Sequence, residues 1–316
     1  METSQNQFCE DVINGLSLTP KHMDSKYFYD DKGDKLFQQI MACPEYYPTD
    51  CEMEILTRQS VAIAEVLIAD GSPFNLIELG AGDATKSIHL LSELLNRSAD
   101  FTYRPIDISG HVIELLHDTL PRALPNLRIE GLPGEYFDML KQATADTDKR
   151  NVVLFLGANI GNMAIHDAED FCKVLHMHLN KGDMAFIGFD LKKHPKIILD
   201  AYNDAGGITK QFNLNLLTRI NNELGADFKI DQFDHYPTYD PETGSCKSYL
   251  ISLTDQRVNI CDESINFVKD EYILMEISQK YSAEQTRDMA AKSHFTPVKD
   301  FYDSHNWFID TVWEVQ

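Results

Sequence analysis

From Phe74 to about Leu191 the apolar positions alternate between short continuous runs and longer stretches in which they recur every three or four residues. The short runs predict strands at 76–79, 103–108, 127–130, 152–156 and 184–189, and the periodic stretches predict helices at 87–95, 111–120 and 168–179. Strand and helix in alternation imply an α/β fold with a parallel sheet covered on both faces. Ligands of such sheets sit beyond the carboxyl ends of the strands.

Both flanks have a different texture. Asp30, Gly33, Leu36, Phe37 and Ile40 read as a turn into a short amphipathic helix. The loop Cys43-Pro44-Glu45-Tyr46-Tyr47-Pro48-Thr49 follows, and with Tyr27 and Tyr29 its tyrosines suit either packing or the lining of a pocket. Phe212, Leu216, Leu217, Ile220 and Leu224 form one helical face stopped by Gly225. Residues 233–253 read as a hairpin turning at Asp240-Pro241-Glu242-Thr243-Gly244, and 251–264 gives no clear signal and reads as loop. A strand over 272–278 sets Met275 and Ile277 on one face and Glu276 and Ser278 on the other. The last segment, 295–316, is expected to return to the sheet as strands.

The candidate chemistry lies at the strand ends. Ile77-Glu78-Leu79-Gly80-Ala81-Gly82-Asp83-Ala84-Thr85-Lys86 runs from strand through a glycine turn into a helix. This suits either a tight turn or an S-adenosylmethionine site, where glycines let backbone approach the methionine part of the ligand. Asp107 closes the second strand, placed to accept from a ribose diol or to cap the helix beginning near Gly110. Glu135-Tyr136-Phe137 could hold an adenine, or Tyr136 could belong to the core. Acid, glycine turn and aromatic in register favour the cofactor. Gly157-Ala158-Asn159-Ile160-Gly161-Asn162 then suits a backbone that bends around a ligand with amides aimed inward, or a turn capping the next helix.

Length and charge narrow the partners. A chain of 316 residues accommodates two lobes, and a net charge of −22 argues against nucleic acid or an anionic membrane surface. Met1-Glu2-Thr3-Ser4-Gln5-Asn6 lacks the pattern of a secretion signal, and no apolar run approaches a membrane span. The six cysteines are scattered without a Cys-x-x-Cys pair, so reduced thiols in a cytoplasmic protein are expected. His176 and His178 come nearest to a metal signature, but two residues apart on a helix they point in different directions, so no metal is expected. A monomer is the default expectation.

Taken together, these segments resemble the histidine-specific Nα-methyltransferases of ergothioneine biosynthesis over nearly the whole chain. The resemblance is carried by Tyr27-Phe28-Tyr29-Asp30 with Gly33, Pro44 to Thr49, Glu78 to Gly82, Phe155-Leu156-Gly157 and Ile160-Gly161-Asn162. It continues through Ala201 to Ala205, Phe212-Asn213-Leu214-Asn215, Glu223 to Phe228, and Glu276-Ile277-Ser278 with Lys280. It implies a class I methyltransferase, Rossmann-like sheet over 58–195 and 279–316, and a discontinuous α+β substrate-binding domain over 1–57 and 196–278. It further implies that Gly80, Lys86, Asp107, Glu135 and Tyr136 surround S-adenosylmethionine. Asn162 and Tyr202 match positions that hold the α-carboxylate, Tyr29 and Tyr46 those around the amino group and ring, and Glu276 and Ser278 the pair on the imidazole. The implied reaction carries L-histidine to its trimethylated betaine, hercynine, in three transfers, with another amino acid such as tryptophan or tyrosine as the alternative. Two positions depart from the family pattern: Ser248 replaces a methionine on the hairpin, and Asn159 a threonine in the turn after the fourth strand.

Overall fold

The computed structural model describes residues 2–145 and 149–316. Strand β1 (Lys21–His22) comes first. β2 (Phe74–Leu79), β3 (Phe101–Asp107), β4 (Leu132–Pro133), β5 (Arg150–Phe155) and β6 (Met184–Asp190) follow with helices between them. A run of β7 (Phe233–Asp240), β8 (Ser245–Ser252), β9 (Gln256–Ile260), β10 (Glu263–Phe267) and β11 (Tyr272–Gln279) precedes the closing pair β12 (Phe295–Tyr302) and β13 (Phe308–Val315). The chain forms two compact units, Met1–Tyr47 with Lys193–Ser278 and Pro48–Lys192 with Gln279–Gln316.

The second unit holds a seven-stranded sheet in the order β12-β13-β6-β5-β2-β3-β4. β2 pairs parallel with β3 and β5, and β5 with β6, while β13 runs antiparallel to both β6 and β12. β2 and β6 are buried along their whole length, as strands covered on both faces must be, which is why they read as mainly apolar runs, with Asn75 and Glu78 the buried polar residues of β2. Their core joins Ile77, Leu79, Val153, Phe155, Ile187 and Phe189 to residues of the helices Ile165–Met177 and Ala283–Lys292 and to Trp313. Residues 295–316 do return to this sheet as β12 and β13.

The first unit has its own core. Its sheet runs β1-β11-β8-β7, packed with the helices Glu2–Ser17, Asp31–Met41 and Ile208–Leu224 through Phe8, Val12, Leu36, Phe212, Leu217 and Met275. β7 and β8 form the expected antiparallel hairpin.

Three expectations need correction. Residues 127–130 form only one isolated bridge, Tyr103 to Ile129, and the sheet edge passes to the two-residue β4. The stretch expected as loop, 251–264, contains β9 and most of the β9–β10 hairpin, whose Val258, Ile260, Ile265 and Phe267 are buried in the first unit. Cys9 and Cys261 form a disulfide across 252 residues, so these two thiols are not reduced. Cys43, Cys51, Cys172 and Cys246 are not disulfide-bonded.

Candidate active site

In the second unit the expected cofactor residues gather at the carboxyl ends of β2, β3 and β4. Gly80 leaves β2 with φ +70°, and a Cβ there would lie 2.6 Å from the Tyr136 hydroxyl, so a side chain is excluded on two grounds. Asp107 braces the turn: Gly82 N donates to its Oδ2 at 3.2 Å and Ser109 N to its Oδ1 at 2.9 Å. The cap of the helix Gly110–Ala123 falls to Ser109, whose hydroxyl accepts from Val112 N. Each Asp107 oxygen keeps a lone pair, which fits a ribose diol.

Tyr136 opens the helix Tyr136–Ala145 and sets its ring edge-on to Phe155, with centroids 6.0 Å apart. Burial, then the charges of Asp107 and Glu135, push its phenol up to about 12, so it stays protonated. Glu135 is exposed just before that helix. Lys86 stands at the head of the helix Ser87–Asn96 and pairs with Glu52, which has no solvent exposure. Asn162 is exposed on the 3-10 turn Asn159–Asn162 after β5, and Asn159 reaches back so that its Nδ2 lies 3.4 Å from a Cβ position on Gly157. Glu78 is turned inward: the Tyr103 hydroxyl donates to its Oε2 at 2.5 Å, and it is buried at the end of β2.

In the first unit four of the expected acceptor residues, Tyr29, Tyr46, Tyr202 and Ser278, form one connected group, while Asn162 lies in the second unit. The Tyr202 and Ser278 hydroxyls share a hydrogen bond of 2.6 Å in a buried setting. The Tyr46 ring meets Tyr202 edge-on at 6.1 Å, Phe37 meets Tyr46 at 6.4 Å, and Tyr29 meets Phe37 at 5.7 Å. Glu276 is half-buried, two residues before Ser278 on β11. Ser248 is buried on β8 opposite Pro237.

Several matching segments serve to hold this group. Asp30 caps the helix Asp31–Met41 by accepting from Gly33 N at 2.6 Å, and Asn215 Nδ2 donates to the same oxygen at 2.8 Å. Arg219 donates to the Tyr27 carbonyl at 3.0 Å. Together they fix the segment that carries Tyr29. Asp204 accepts from Ile208 N and Thr209 N at 2.8 and 2.7 Å, which anchors the start of the helix Ile208–Leu224 just beyond Tyr202.

Sequence reasoning missed Phe37 and Phe212 as members of the aromatic group, because their helical spacing already explained them as core. It also missed Glu52 and Asp310. Each had a signal: an acid on the apolar stripe Cys51, Ile55, Leu56, and a lone acid inside the apolar strand Phe308-Ile309-Asp310.

Comparison with known proteins supplies the remaining findings. Residues 8–315 match the family described as histidine-specific methyltransferase, SAM-dependent. The chain is 34% identical over 273 residues to a histidine N-alpha-methyltransferase of Mycobacterium tuberculosis, covering 86% of this chain and 83% of that protein. It is 33% identical over 276 residues to the protein of that name from Mycolicibacterium smegmatis, covering 87% and 84%. An L-tryptophan methyltransferase of Psilocybe serbica is 28% identical over 301 residues, covering 86% and 82%. Among the described residues no helix is long and apolar enough to cross a membrane.

Proposed function

Because the chain belongs to the family of histidine-specific, S-adenosylmethionine-dependent methyltransferases, we propose that it methylates the α-nitrogen of L-histidine three times, yielding hercynine. The bound sulfonium supplies the methyl group. Gly80, Lys86, Asp107, Glu135 and Tyr136 are the residues assigned to the donor, and their convergence in the second unit fits it: an open glycine turn, a diol acceptor and an aromatic edge. Methyl transfer is an in-line displacement by an amine, so the protein must chiefly position a lone pair and exclude water.

The observation that carries the histidine assignment is the buried Tyr202–Ser278 hydrogen bond on the strand that bears Glu276. Ser278 and Glu276 place a hydroxyl and a carboxylate on one strand, which suits the bare nitrogen and the ring N–H of an imidazole respectively. Tyr29 and Tyr46, in the same aromatic group, offer ring faces that tolerate a growing cation as methyl groups accumulate. A larger aromatic amino acid such as tryptophan or tyrosine is the second reading, favoured by the small side chain of buried Ser248.

Glu276→Ala tests the assignment. Loss of a hydrogen bond to a charged group costs about 1.5 to 3 kcal/mol, so histidine affinity should fall roughly ten- to a hundred-fold. Calorimetry with S-adenosylhomocysteine should show donor-site affinity unchanged. Full histidine affinity and turnover in the variant would sink the assignment.

A further inference from the structure

The second unit holds a buried charged cluster that the reaction as described does not use. A Cβ on Gly188 of β6 would lie 2.5 Å from Glu52 Oε1 and 2.9 Å from Asp310 Oδ1, so the missing side chain is what lets two carboxyl groups approach one another over the sheet. Glu52 reaches this point from the helix Tyr47–Arg58. Its Oε1 accepts from Gly157 N at 2.6 Å, and its Oε2 takes the Lys86 ammonium. Lys86 Nζ in turn lies 3.5 Å from a Cβ position on Gly157. One carboxylate therefore ties the backbone after β5 to the lysine that follows the glycine turn after β2, across neighbouring strands. A fully buried carboxylate is costly unless partners of this kind meet it, and packing alone would be better served by leucine.

We propose that Glu52 is a positioning residue of the methyl-donor site, holding the Lys86 ammonium and pinning the Gly157 turn around the amino-acid end of the donor. The proposal rests on the assignment of Lys86 to that site. Three carboxyl groups face Lys86: Glu52 from its helix, Asp310 from β13 and Glu78 from β2. Burial alone would lower the pKa of the ammonium; these acids, Glu52 foremost, raise it above its ordinary value. Burial and the neighbouring Glu52 push the Asp310 carboxyl well above the usual range. Both its oxygens are buried without a hydrogen-bond partner among the described residues.

The test is calorimetric titration of the full chain with S-adenosylhomocysteine from about pH 7 to about pH 9.5, a window in which an unpaired buried lysine would lose its proton. Affinities are compared as ratios to wild type, which cancels the titration of the ligand's own amine. Glu52→Gln keeps an acceptor for Gly157 N but removes the counter-charge of Lys86. It should weaken binding roughly tenfold at neutral pH, and the deficit should widen as pH rises. Lys86→Met should also weaken binding, and adding Glu52→Gln to it should change affinity by less than about twofold, since Glu52 acts through the lysine. The double variant buries no unpaired charge, so this comparison survives poor folding of Glu52→Gln alone. Wild-type affinity and a flat ratio in Glu52→Gln, or an equal loss in both backgrounds, would overturn the proposal. Unchanged affinity in Lys86→Met would overturn the assignment beneath it.

Discussion

Glu78 offers a test of the second unit in which magnitude and sign both follow from structure. Burial, opposed by hydrogen bonds from Tyr103 and Ser87, raises its carboxyl from 4.5 to about 7. At about 1.4 kcal/mol per pH unit, that rise corresponds to roughly 3 kcal/mol. The folded pKa lies above the unfolded one, so between these values the folded chain binds more protons than the unfolded chain. Stability contributed by this group is complete below about pH 4.5, falls as pH rises, and is lost by about pH 7. Glu78→Gln removes the titration and retains an oxygen to accept from the Tyr103 hydroxyl. Both tryptophans, Trp307 and Trp313, lie in the second unit, so their fluorescence during urea unfolding reports that unit selectively. The variant should gain about 3 kcal/mol relative to wild type between about pH 4.5 and about pH 7.5, whatever its stability at the acid end. Parallel pH curves for the two proteins would refute the reasoning.

Two further substitutions probe one unit each. Lys280 and Asp190 form an ion pair at 2.7 Å with 1% exposure on each side, and Lys280→Met should destabilise the second unit by about 3 to 5 kcal/mol by stranding the aspartate, as read by the same fluorescence transition. Ser278→Ala removes the partner of Tyr202 and should raise the KM for histidine roughly tenfold while leaving S-adenosylhomocysteine affinity unchanged, as read by steady-state kinetics and calorimetry.

How much of this was legible in the chain depended on whether the determining contacts were local. β2 and its glycine turn were readable because burial on both faces calls for the apolar residues Phe74, Leu76, Ile77 and Leu79 just before Gly80. Residues 127–130 looked like a strand, yet they pair with β3 only around Tyr103, which bonds Arg128 O and Glu130 N, before Gly131 interrupts the run and the edge passes to Leu132 and Pro133. The β9–β10 hairpin was missed although Val258, Ile260, Ile265 and Phe267 alternate with polar residues. Its two-residue turn places Cys261, at φ +52°, where glycine or asparagine is the usual signal. The Cys9–Cys261 bond depends on tertiary approach across 252 residues and leaves no mark in cysteine spacing. Among site residues, Tyr202 and Ser278 were named through the family resemblance, but their mutual contact, 76 residues apart, was not readable, nor was that of Glu52 with Gly157, which spans 105.

The most direct test of the account is to incubate the purified chain with S-adenosylmethionine and each amino acid in turn and to weigh the products. Histidine should gain three methyl groups, all on the α-nitrogen, and tryptophan and tyrosine should remain unmodified. Methylated tryptophan or tyrosine with unmodified histidine would contradict the reading of Glu276 and Ser278, and no product from any amino acid would contradict the proposed acceptor class altogether.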